Sequence, residues 1–428
     1  MFKRVLIISP YFPPVNAADM QRVRMSLPYF EEFNWQAEVV AVDESYSDMP
    51  SDPLLLQSIP SGIKVHKVKA FDKALTSKIG LGSIALRSFW YYRRKVDALL
   101  KHGQYDLIYF SSTQFPVFIL GAYWKRKFGI PYVLDIQDPW HSNFYLTMPR
   151  AQRPPKYWFA YHLNKYMEPV AVKNTAGMIS VSGSYIHDLK KRYPVIKNIP
   201  ASVITFGAFR PDLEIARNNR LAFPRLLDPQ KINIVYVGRG GVDIRRSVFS
   251  LLKSFHKGLT KNPKGFADMV FSFIGTSYAP AGQGVPTILP IATELGITGH
   301  VTELTDRISY YHTLLTLQQA DVLFLPGSDD PGYTASKIYP YMLSAKPILA
   351  VINSGSPANG VLSEYGAEFV YNYDNHPDIE EAVMSFLSRL ALGTLAAPVY
   401  NERAIVKYDA ANMTRQQCEL FDIVIKRS

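Results

Sequence analysis

The stretch Ile232-Asn233-Ile234-Val235-Tyr236-Val237-Gly238-Arg239-Gly240-Gly241 runs from six largely apolar residues directly into a glycine-rich loop. A short apolar run that ends in glycine predicts a buried strand, and the apolar helical pattern Val248–Phe255 follows the loop. Strand, loop and helix in this order are typical of parallel sheets, in which ligands bind at the carboxyl ends of the strands. The stretch therefore predicts an α/β domain with a ligand site beside the loop.

The same alternation continues on both sides of this stretch. After it, strands are predicted at Met269–Ile274, Val322–Pro326, Pro347–Val351 and Glu368–Val370. Before it, strands are predicted at Val5–Ser9, Ala37–Val42, Leu107–Ser111, Tyr132–Ile136, Gly177–Val181 and Ser202–Thr205. Helical patterns between them include Met20–Phe33, Ile84–Leu100 and Ile186–Tyr193. Two such series predict two doubly wound domains.

We predict residues 1–210 as the first domain and residues 231–385 as the second. Residues 211–230 are polar and rich in Asn, Arg and Pro, so they are predicted to be a linker. The remaining residues, 386–428, are too short for a domain. We expect them to form helices that pack back across one or both domains.

The composition excludes several classes of protein. The chain has 428 residues, of which 47% are hydrophobic and 19% are charged, which excludes a largely disordered protein. The single cysteine, Cys418, excludes a disulfide framework and a cysteine-rich zinc site. No apolar run approaches the roughly 20 residues that span a bilayer. We therefore expect a cytoplasmic protein.

The net charge of +11 is concentrated in residues 70–105, with a net charge of +5, and in residues 151–199, with a net charge of +6. Within these regions, segments 84–101 and 150–173 combine Lys and Arg with Trp, Tyr and Phe. This mixture suits an anionic membrane surface, although a solvated basic face over core aromatics is the alternative. We expect no nucleic-acid partner, because no recognition motif accompanies the charge.

Two loops of the first domain are candidate sites. The small residues Asn16 and Ala17 precede a helix with Arg22, so this loop is a candidate for phosphate or acceptor contact, or else a rigid proline loop. Asp138 follows the predicted strand Tyr132–Ile136 and could bind a hydroxyl group or accept a proton. Its alternative role is an Asx turn. Asp135, nearer the strand interior, is expected to be structural.

The glycine loop of the second domain is the third candidate. A nicotinamide site is excluded, because Asp243 stands where the third glycine of G-x-G-x-x-G is required. Glycines flanked by Arg239, Arg245 and Arg246 suit a diphosphate, since arginine forms charge-assisted hydrogen bonds with phosphate oxygens. Surface arginines without a ligand are the alternative.

The loop after Val322–Pro326 is the fourth candidate. Asp329 and Asp330 can accept hydrogen bonds from sugar hydroxyl groups, and Ser336 and Lys337 at a helix start can meet a phosphate. A helix capped by Ser336 or Thr334 is the alternative. The nine histidines show no metal-ligand spacing, and no P-loop is present, so we expect no metal and no resident cofactor.

Taken in order, several segments resemble the GT-B glycosyltransferases, and are most similar to glycosyltransferase family 4, over nearly the full chain. These segments are Val5–Pro14, Gly62–Val65, Gly129–Asp135, Asp138–Trp140, Ile179–Ser182, Val235–Arg239, Ala320–Pro326 and Ser336–Ala350. The resemblance implies two Rossmann-like domains that face each other across a cleft. It also implies a nucleoside-diphosphate-sugar donor on the second domain, an acceptor on the first, and transfer with retention and without a metal.

Carried over position by position, the resemblance assigns Arg239, Lys337 and one of Arg245 or Arg246 to the diphosphate. It assigns Asp330, Gly332 and Tyr333 to the donor sugar.

The sequence departs from the family pattern at several positions. The family's two glutamates, eight positions apart, fall near Gly332 and on Pro340, so the ribose contact of the second is missing or replaced. Asp329 or Asp330 is the candidate substitute for the first. Gln137 replaces a common histidine, and Ala17-Ala18 replaces a glycine pair.

These features predict a glycosyltransferase that moves a sugar from a nucleoside diphosphate to a glycan or lipid-linked acceptor. We expect it to act in cell-surface polysaccharide biosynthesis, at the inner face of the plasma membrane. One alternative is a sugar-nucleotide epimerase of the same architecture. The other is a non-catalytic protein that docks on a membrane or a partner, which the loss at Pro340 favours.

Overall fold

The computed structural model describes residues 2–141, 146, 149–150, 153, 157–330 and 337–427. The chain forms two compact units. The first comprises Met1–Gly207 with Ala410–Ser428, and the second comprises Ala208–Asp409. Each unit contains one parallel sheet with helices, so the predicted α/β class with two doubly wound sheets is confirmed.

The described part of the first unit has a seven-stranded parallel sheet in the order β3-β2-β1-β4-β5-β6-β7. Its strands are β1 Lys3–Ile8, β2 Trp35–Val42, β3 Lys64–Val68, β4 Leu107–Ser111, β5 Tyr132–Ile136, β6 Gly177–Ser180 and β7 Ala201–Val203. Every residue of β4, β5 and β6 is buried, because helices cover both faces of the sheet. This burial explains why the sequences of these strands are largely apolar.

The helices that precede Gly207 lie between these strands along the chain. They are α1 Gln21–Ser26, α2 Lys73–Thr76, α3 Ile84–His102, α4 Ile119–Phe128, α5 Tyr157–Val172 and α6 Gly183–Arg192. Helix α3 begins after Ser83, whose hydroxyl oxygen accepts a hydrogen bond from the backbone N–H of Leu86. It ends before Gly103 and buries Tyr92 and Val96 against the sheet.

The helix predicted at Met20–Phe33 is wrong in its extent. Helix α1 ends at Ser26, and a separate 3-10 helix covers Phe30–Phe33. Pro28 lies between them and has no N–H group to continue the α-helical hydrogen bonds.

The described part of the second unit has a six-stranded parallel sheet in the order β10-β9-β8-β11-β12-β13. Its strands are β8 Ile232–Val237, β9 Met269–Ile274, β10 Val301–Leu304, β11 Val322–Pro326, β12 Ile348–Ile352 and β13 Phe369–Asn372. Its helices are α7 Arg210–Asn218, α8 Arg245–Lys261, α9 Pro263–Phe266, α10 Leu289–Glu294, α11 Tyr310–Gln319, α12 Ile338–Ser344, α13 Ala358–Tyr365, α14 Ile379–Ala391 and α15 Glu402–Lys407. The fully buried Val248, Leu251 and Phe255 pack helix α8 into the core.

The stretch predicted as a linker, 211–230, is partly helical, because it contains most of α7. Asp212 on this helix is buried and accepts hydrogen bonds from the hydroxyl groups of Tyr310 at 2.9 Å and Tyr311 at 3.2 Å. These bonds attach α7 to α11. The stretch therefore belongs to the fold of the second unit.

The predicted tail, 386–428, is divided between the two units. Its residues up to Asp409 belong to the second unit, and the final helix, α16 Ala410–Arg427, belongs to the first. Phe421 of this helix is buried, with its ring 5.5 Å from that of Trp35 and 5.0 Å from that of Tyr109. The C-terminal helix therefore completes the core of the N-terminal unit. No helix in the described part of the chain is both long and apolar enough to cross a membrane.

Candidate functional site

The glycine loop lies between β8 and α8, at the carboxyl end of the second sheet. Backbone hydrogen bonds fix it to the loop after β9: Gly238 N–H donates to Ile274 O at 2.8 Å, and Gly240 N–H donates to Thr276 O at 2.9 Å. Helix α8 is 17 residues long, and no side chain among the described residues caps its N-terminus. Uncapped N–H groups and the helix dipole favour an anion at this position.

Gly238 leaves room for a side chain from another loop. A Cβ atom at this position would lie 1.8 Å from the Nζ atom of Lys337, and the φ angle of Gly238 is +157°. Any larger residue would displace the ammonium group. A glycine at this position therefore allows Lys337, a predicted diphosphate residue, to keep its place.

Lys337 lies in a small pocket of the second unit. Its Nζ atom donates a hydrogen bond to the Tyr236 hydroxyl at 2.7 Å and lies 4.5 Å from the centre of that ring. The pocket is lined by Tyr236, Arg239, Asp243, Ile244, Leu325, Pro326 and Lys337. No carboxylate in the described part of the chain forms an ion pair with Lys337.

The surroundings of Lys337 disfavour its charged form. Burial lowers the pKa of Lys337 to about 7, and the positive charges of Arg239 and Arg307 act in the same direction. The carboxylate of Asp243 opposes them but does not compensate. A desolvated cation without a carboxylate partner is unfavourable by itself and becomes favourable when an anion binds.

Arg239 also lines the pocket, where it is paired with Asp243. The Nη2 atom of Arg239 lies 2.6 Å from Oδ2 of Asp243, and the Ser328 hydroxyl donates to the same oxygen at 3.2 Å. The carboxylate thus lies where an anionic ligand could bind the guanidinium. Arg239 and Lys337 are the two predicted diphosphate residues that the structure brings together.

The other two predicted arginines have different partners. Arg245 forms an exposed ion pair with Glu294 on α10 at 2.9 Å. Arg246 donates to the backbone oxygen of Tyr373 at 3.2 Å, with its guanidinium 4.8 Å from the centre of that ring. Neither side chain lines the pocket.

The predicted sugar-binding loop follows β11. Asp329 and Asp330 are exposed, and Asp329 N–H donates to the backbone oxygen of Asp243 at 2.8 Å, which places this loop beside the glycine loop. Gly332, Tyr333 and Ser336 lie outside the described residues.

Pro340 stands in the first turn of α12. A missing N–H group is tolerated there, because the first N–H groups of a helix have no intrahelical partner. Its side chain offers no hydrogen bond to a ribose.

In the first unit, Arg22 is a core residue. It is fully buried, and its Nε atom lies 2.8 Å from Oδ2 of Asp135, which is also fully buried. Its Nη2 atom donates to Ile204 O at 2.7 Å, and its Nη1 atom donates to Thr205 O at 3.2 Å. These contacts engage the guanidinium nitrogens of Arg22 inside the protein and disfavour the predicted contact with an acceptor.

The loop that contains Asn16 and Ala17 is attached to a neighbouring segment. The N–H of Asn16 donates to Pro50 O at 2.8 Å, and the N–H of Asp52 donates to Pro14 O at 2.7 Å. Ala17 is buried. The described contacts favour the rigid-loop alternative over phosphate contact.

Asp138 lies just beyond β5 and is exposed. Although the residue is exposed, its carboxyl group is partly desolvated by the surrounding protein, and this desolvation, followed by the nearby charge of Asp19, raises the pKa of Asp138. The neighbouring residue Gln137 is held inside the protein. Its Nε2 atom donates to Asp19 O at 3.1 Å and to Oδ2 of Asp135 at 2.9 Å. A carboxyl group with a raised pKa at the end of a strand is suited to proton exchange with a hydroxyl group.

Asp19 is a carboxylate that the sequence analysis missed. It is buried, and its Oδ2 atom accepts hydrogen bonds from Ser112 Oγ at 2.6 Å and from Thr113 N–H at 3.0 Å. Burial raises the pKa of Asp19 despite these donors. The only signal was its position directly after the small-residue loop.

Comparison with solved structures gives full-length similarity at low sequence identity. Sucrose-phosphate synthase from Thermosynechococcus elongatus is 13% identical with a TM-score of 0.59, and the match covers 100% of both chains. The N-terminal domain of Candida albicans trehalose-6-phosphate phosphatase is 13% identical with a TM-score of 0.61, over 99% of this chain and 97% of that chain. Anabaena HepE, in complex with UDP-glucose, is 14% identical with a TM-score of 0.57, over 98% of this chain and 99% of that chain.

At these identities the similarity shows the fold, and the chain has the GT-B fold. No protein-family model matches the chain, and no curated protein matches it by sequence. The narrower resemblance to glycosyltransferase family 4 remains a prediction.

Proposed function

We propose that this protein is a glycosyltransferase that moves a sugar from a nucleoside diphosphate to an acceptor hydroxyl group. The observation that carries the proposal is the ammonium group of Lys337, which is desolvated and, among the described residues, without a carboxylate partner. Arg239 and the uncapped N-terminus of α8 add positive potential beside the glycine loop. A diphosphate is the ligand that this set of groups suits best.

Positive groups at this position would act on the leaving group. When the bond between the sugar and the diphosphate breaks, negative charge grows on the phosphate oxygens. Groups fixed in the protein stabilise that charge without reorganisation, so they lower the barrier. In this account Lys337 and Arg239 bind the diphosphate, and Arg239 exchanges the carboxylate of Asp243 for a phosphate oxygen.

Comparison with HepE supports the choice of the first donor to test, because that protein was solved with UDP-glucose and has the same fold. We propose that Asp329 and Asp330 contact the donor sugar, and that Asp138 contacts the acceptor hydroxyl group. The raised pKa of Asp138 supports that role. We further propose retention at the anomeric carbon, as the family resemblance implies, and name no protein nucleophile.

The experiment is a product assay with UDP-glucose labelled in the sugar, incubated with membrane lipids and glycans as acceptors. We expect label to move from the nucleotide to an acceptor fraction, with UDP released. Conversion of the sugar nucleotide to an isomer without an acceptor would instead indicate an epimerase. Absence of both products and of nucleotide binding would favour a non-catalytic docking protein.

We also propose that the acceptor is a glycan or lipid-linked molecule of cell-surface polysaccharide synthesis, met at an anionic membrane. The support comes from segments 84–101 and 150–173, which include α3 and α5. Trp90 is 49% exposed, Trp158 72% and Tyr166 70%, and basic residues accompany them. Exposed aromatic rings with lysines and arginines bind the interface of anionic bilayers.

Removing two of these rings is expected to weaken membrane binding. Vesicles of phosphatidylcholine with about 30% phosphatidylglycerol should carry the wild-type protein to the top of a flotation gradient. The double variant Trp158→Ala, Tyr166→Ala should bind about tenfold less, because both side chains lose apolar contact with the interface. Leu221→Ser is the control, since Leu221 is 94% exposed but belongs to the second unit. Equal flotation of the double variant and the wild type would refute this surface.

A further inference from the structure

Arg307, an exposed residue in the loop after β10, is a further cation of the second unit and was not predicted. It follows β10, and its guanidinium lies 5.1 Å from the centre of the Tyr278 ring. Tyr278 itself is 70% exposed, in the loop after β9. In the described ranges no carboxylate forms an ion pair with Arg307. Such an arginine, held over an exposed ring, has donors available for a ligand.

The loops that follow β8, β9 and β10 are hydrogen-bonded side by side. Gly240 N–H donates to Thr276 O at 2.9 Å, and Ser277 N–H donates to Thr305 O at 3.0 Å. A Cβ atom on Gly275 would lie 3.7 Å from the Cα atom of Arg307. The glycine loop, the Tyr278 loop and the Arg307 loop therefore meet at one edge of the second sheet.

Electrostatics link this edge to the pocket. The charge of Arg307 is one of the causes of the lowered pKa of Lys337, after burial and the charge of Arg239. Burial lowers the pKa of Arg239, but the hydrogen bond and charge of Asp243 raise it, and Tyr278 acts in the same direction as Asp243. Lys337, Arg239 and Arg307 thus lie in one region, where the carboxylate of Asp243 is paired with Arg239 and acts on Lys337.

We propose that Arg307, held over Tyr278, is a third phosphate-binding residue that makes the site selective for nucleoside diphosphates over monophosphates. The inference rests on the proposed function and names a specificity residue of that site. One phosphate is matched by Lys337 and Arg239, whose charge is partly offset by Asp243. A second phosphate brings additional negative charge, and Arg307 is a cation of these loops that forms no ion pair with a carboxylate among the described residues.

Tyr278 contributes by restricting Arg307. A guanidinium stacked on a ring has fewer conformations to lose when it binds a phosphate. The entropic cost of ordering it is therefore smaller, and the binding free energy is more favourable. The ring, and not the hydroxyl group, is needed for this effect. Tyr278→Phe should therefore preserve affinity, and Tyr278→Ala should reduce it by a smaller factor than loss of Arg307.

The test is calorimetric titration of the full-length protein with UDP and with UMP in low salt. Arg307→Ala should weaken UDP binding by about tenfold and UMP binding by less than about twofold. The ratio of UDP affinity to UMP affinity should therefore decrease. Arg389→Ala is the matched control, because Arg389 also lies over a ring, that of Phe369 at 5.4 Å, in the same unit. The control should change neither affinity.

A second readout separates an electrostatic role of Arg307 in the site from a merely structural one. Removing the charge of Arg307 should raise the pKa of Lys337, so the decline of UDP affinity at alkaline pH should begin at a higher pH in Arg307→Ala. Unchanged UDP affinity in this variant would overturn the inference, as would equal weakening of UDP and UMP. If the wild-type protein bound no nucleotide at all, the proposed function itself would fail, and the two failures are therefore distinguishable.

Discussion

Replacing Lys337 with alanine is expected to weaken UDP binding by about 100-fold at neutral pH, the largest effect on binding that the structure predicts. A hydrogen bond to a charged group contributes about 1.5–3 kcal/mol, and the desolvated position of this ammonium strengthens its attraction to phosphate. Calorimetric titration in low salt measures the change.

Lys253→Ala is the control for this variant. Lys253 forms an ion pair with Glu380 at 2.6 Å, is partly exposed and belongs to the same unit. Its removal should change the affinity less than about twofold, because exposed ion pairs contribute little. Equal UDP affinity of Lys337→Ala and the wild type, with the fold intact, would remove Lys337 from the site.

The same lysine gives a pH signature. Its pKa in the unliganded protein is about 7, and a bound phosphate raises this pKa, so binding takes up a proton. UDP affinity should therefore fall as the pH rises above 7, by at most about tenfold per unit, and Lys337→Ala should lack this fall.

The lysine also affects stability. Because the unfolded chain binds more protons than the folded protein between pH 7 and the ordinary lysine pKa of 10.5, Lys337 makes the unliganded protein more stable as the pH rises through that window.

The second large effect concerns stability of the first unit. Arg22→Met should destabilise it by about 3–5 kcal/mol, because the carboxylate of Asp135 would remain buried without its counter-charge. All five tryptophans lie between Trp35 and Trp158, so tryptophan fluorescence during urea unfolding reports on this unit alone.

Glu419→Ala serves as the comparison for Arg22→Met. It removes the exposed ion pair between Arg415 and Glu419 on α16, in the same unit, and should cost less than about 1 kcal/mol. A similarly small change for Arg22→Met would show that the buried pair does not hold the unit together.

Sequence patterns predicted the interior strands of both sheets, because strands buried on both faces are apolar along their whole length. The patterns missed β3 and β10, which lie at the sheet edges and expose part of their residues. Lys64–Val68 contains two lysines and a histidine, so it carries no apolar run. The other two edge strands, β7 and β13, were predicted approximately, at Ser202–Thr205 and Glu368–Val370, so β3 and β10 were missed because their polar residues interrupt any apolar run.

Long-range contacts also escaped prediction. Helix α16 returns to the first unit, and Phe421 packs on Trp35, almost 400 positions earlier in the chain. Arg22 and Asp135 are likewise 113 positions apart, so the sequence could not show that Arg22 is neutralised inside the core. A residue after a small-residue loop was therefore assigned to a ligand.

The candidate site was predicted where it follows an interior strand. Arg239 comes directly after β8, and Lys337 comes after β11, and both line the pocket. Arg307 was missed because it follows the unpredicted edge strand β10. The charge of Arg307 acts on Lys337 because neighbouring loops of the second sheet bring the two residues into one region. No local sequence pattern connects these loops.

A thermal-shift titration of the wild-type protein with UDP, GDP, ADP, CMP and dTDP, with and without magnesium, tests directly whether the Lys337 pocket binds a donor diphosphate. A ligand that binds only the folded state stabilises it by about 2.7 kcal/mol when present at 100 times its Kd. We predict a saturable rise of the melting temperature with at least one nucleoside diphosphate, independent of magnesium. No rise with any of them, up to millimolar concentrations at neutral pH and low salt, would contradict the claim that the Lys337 pocket binds a donor diphosphate.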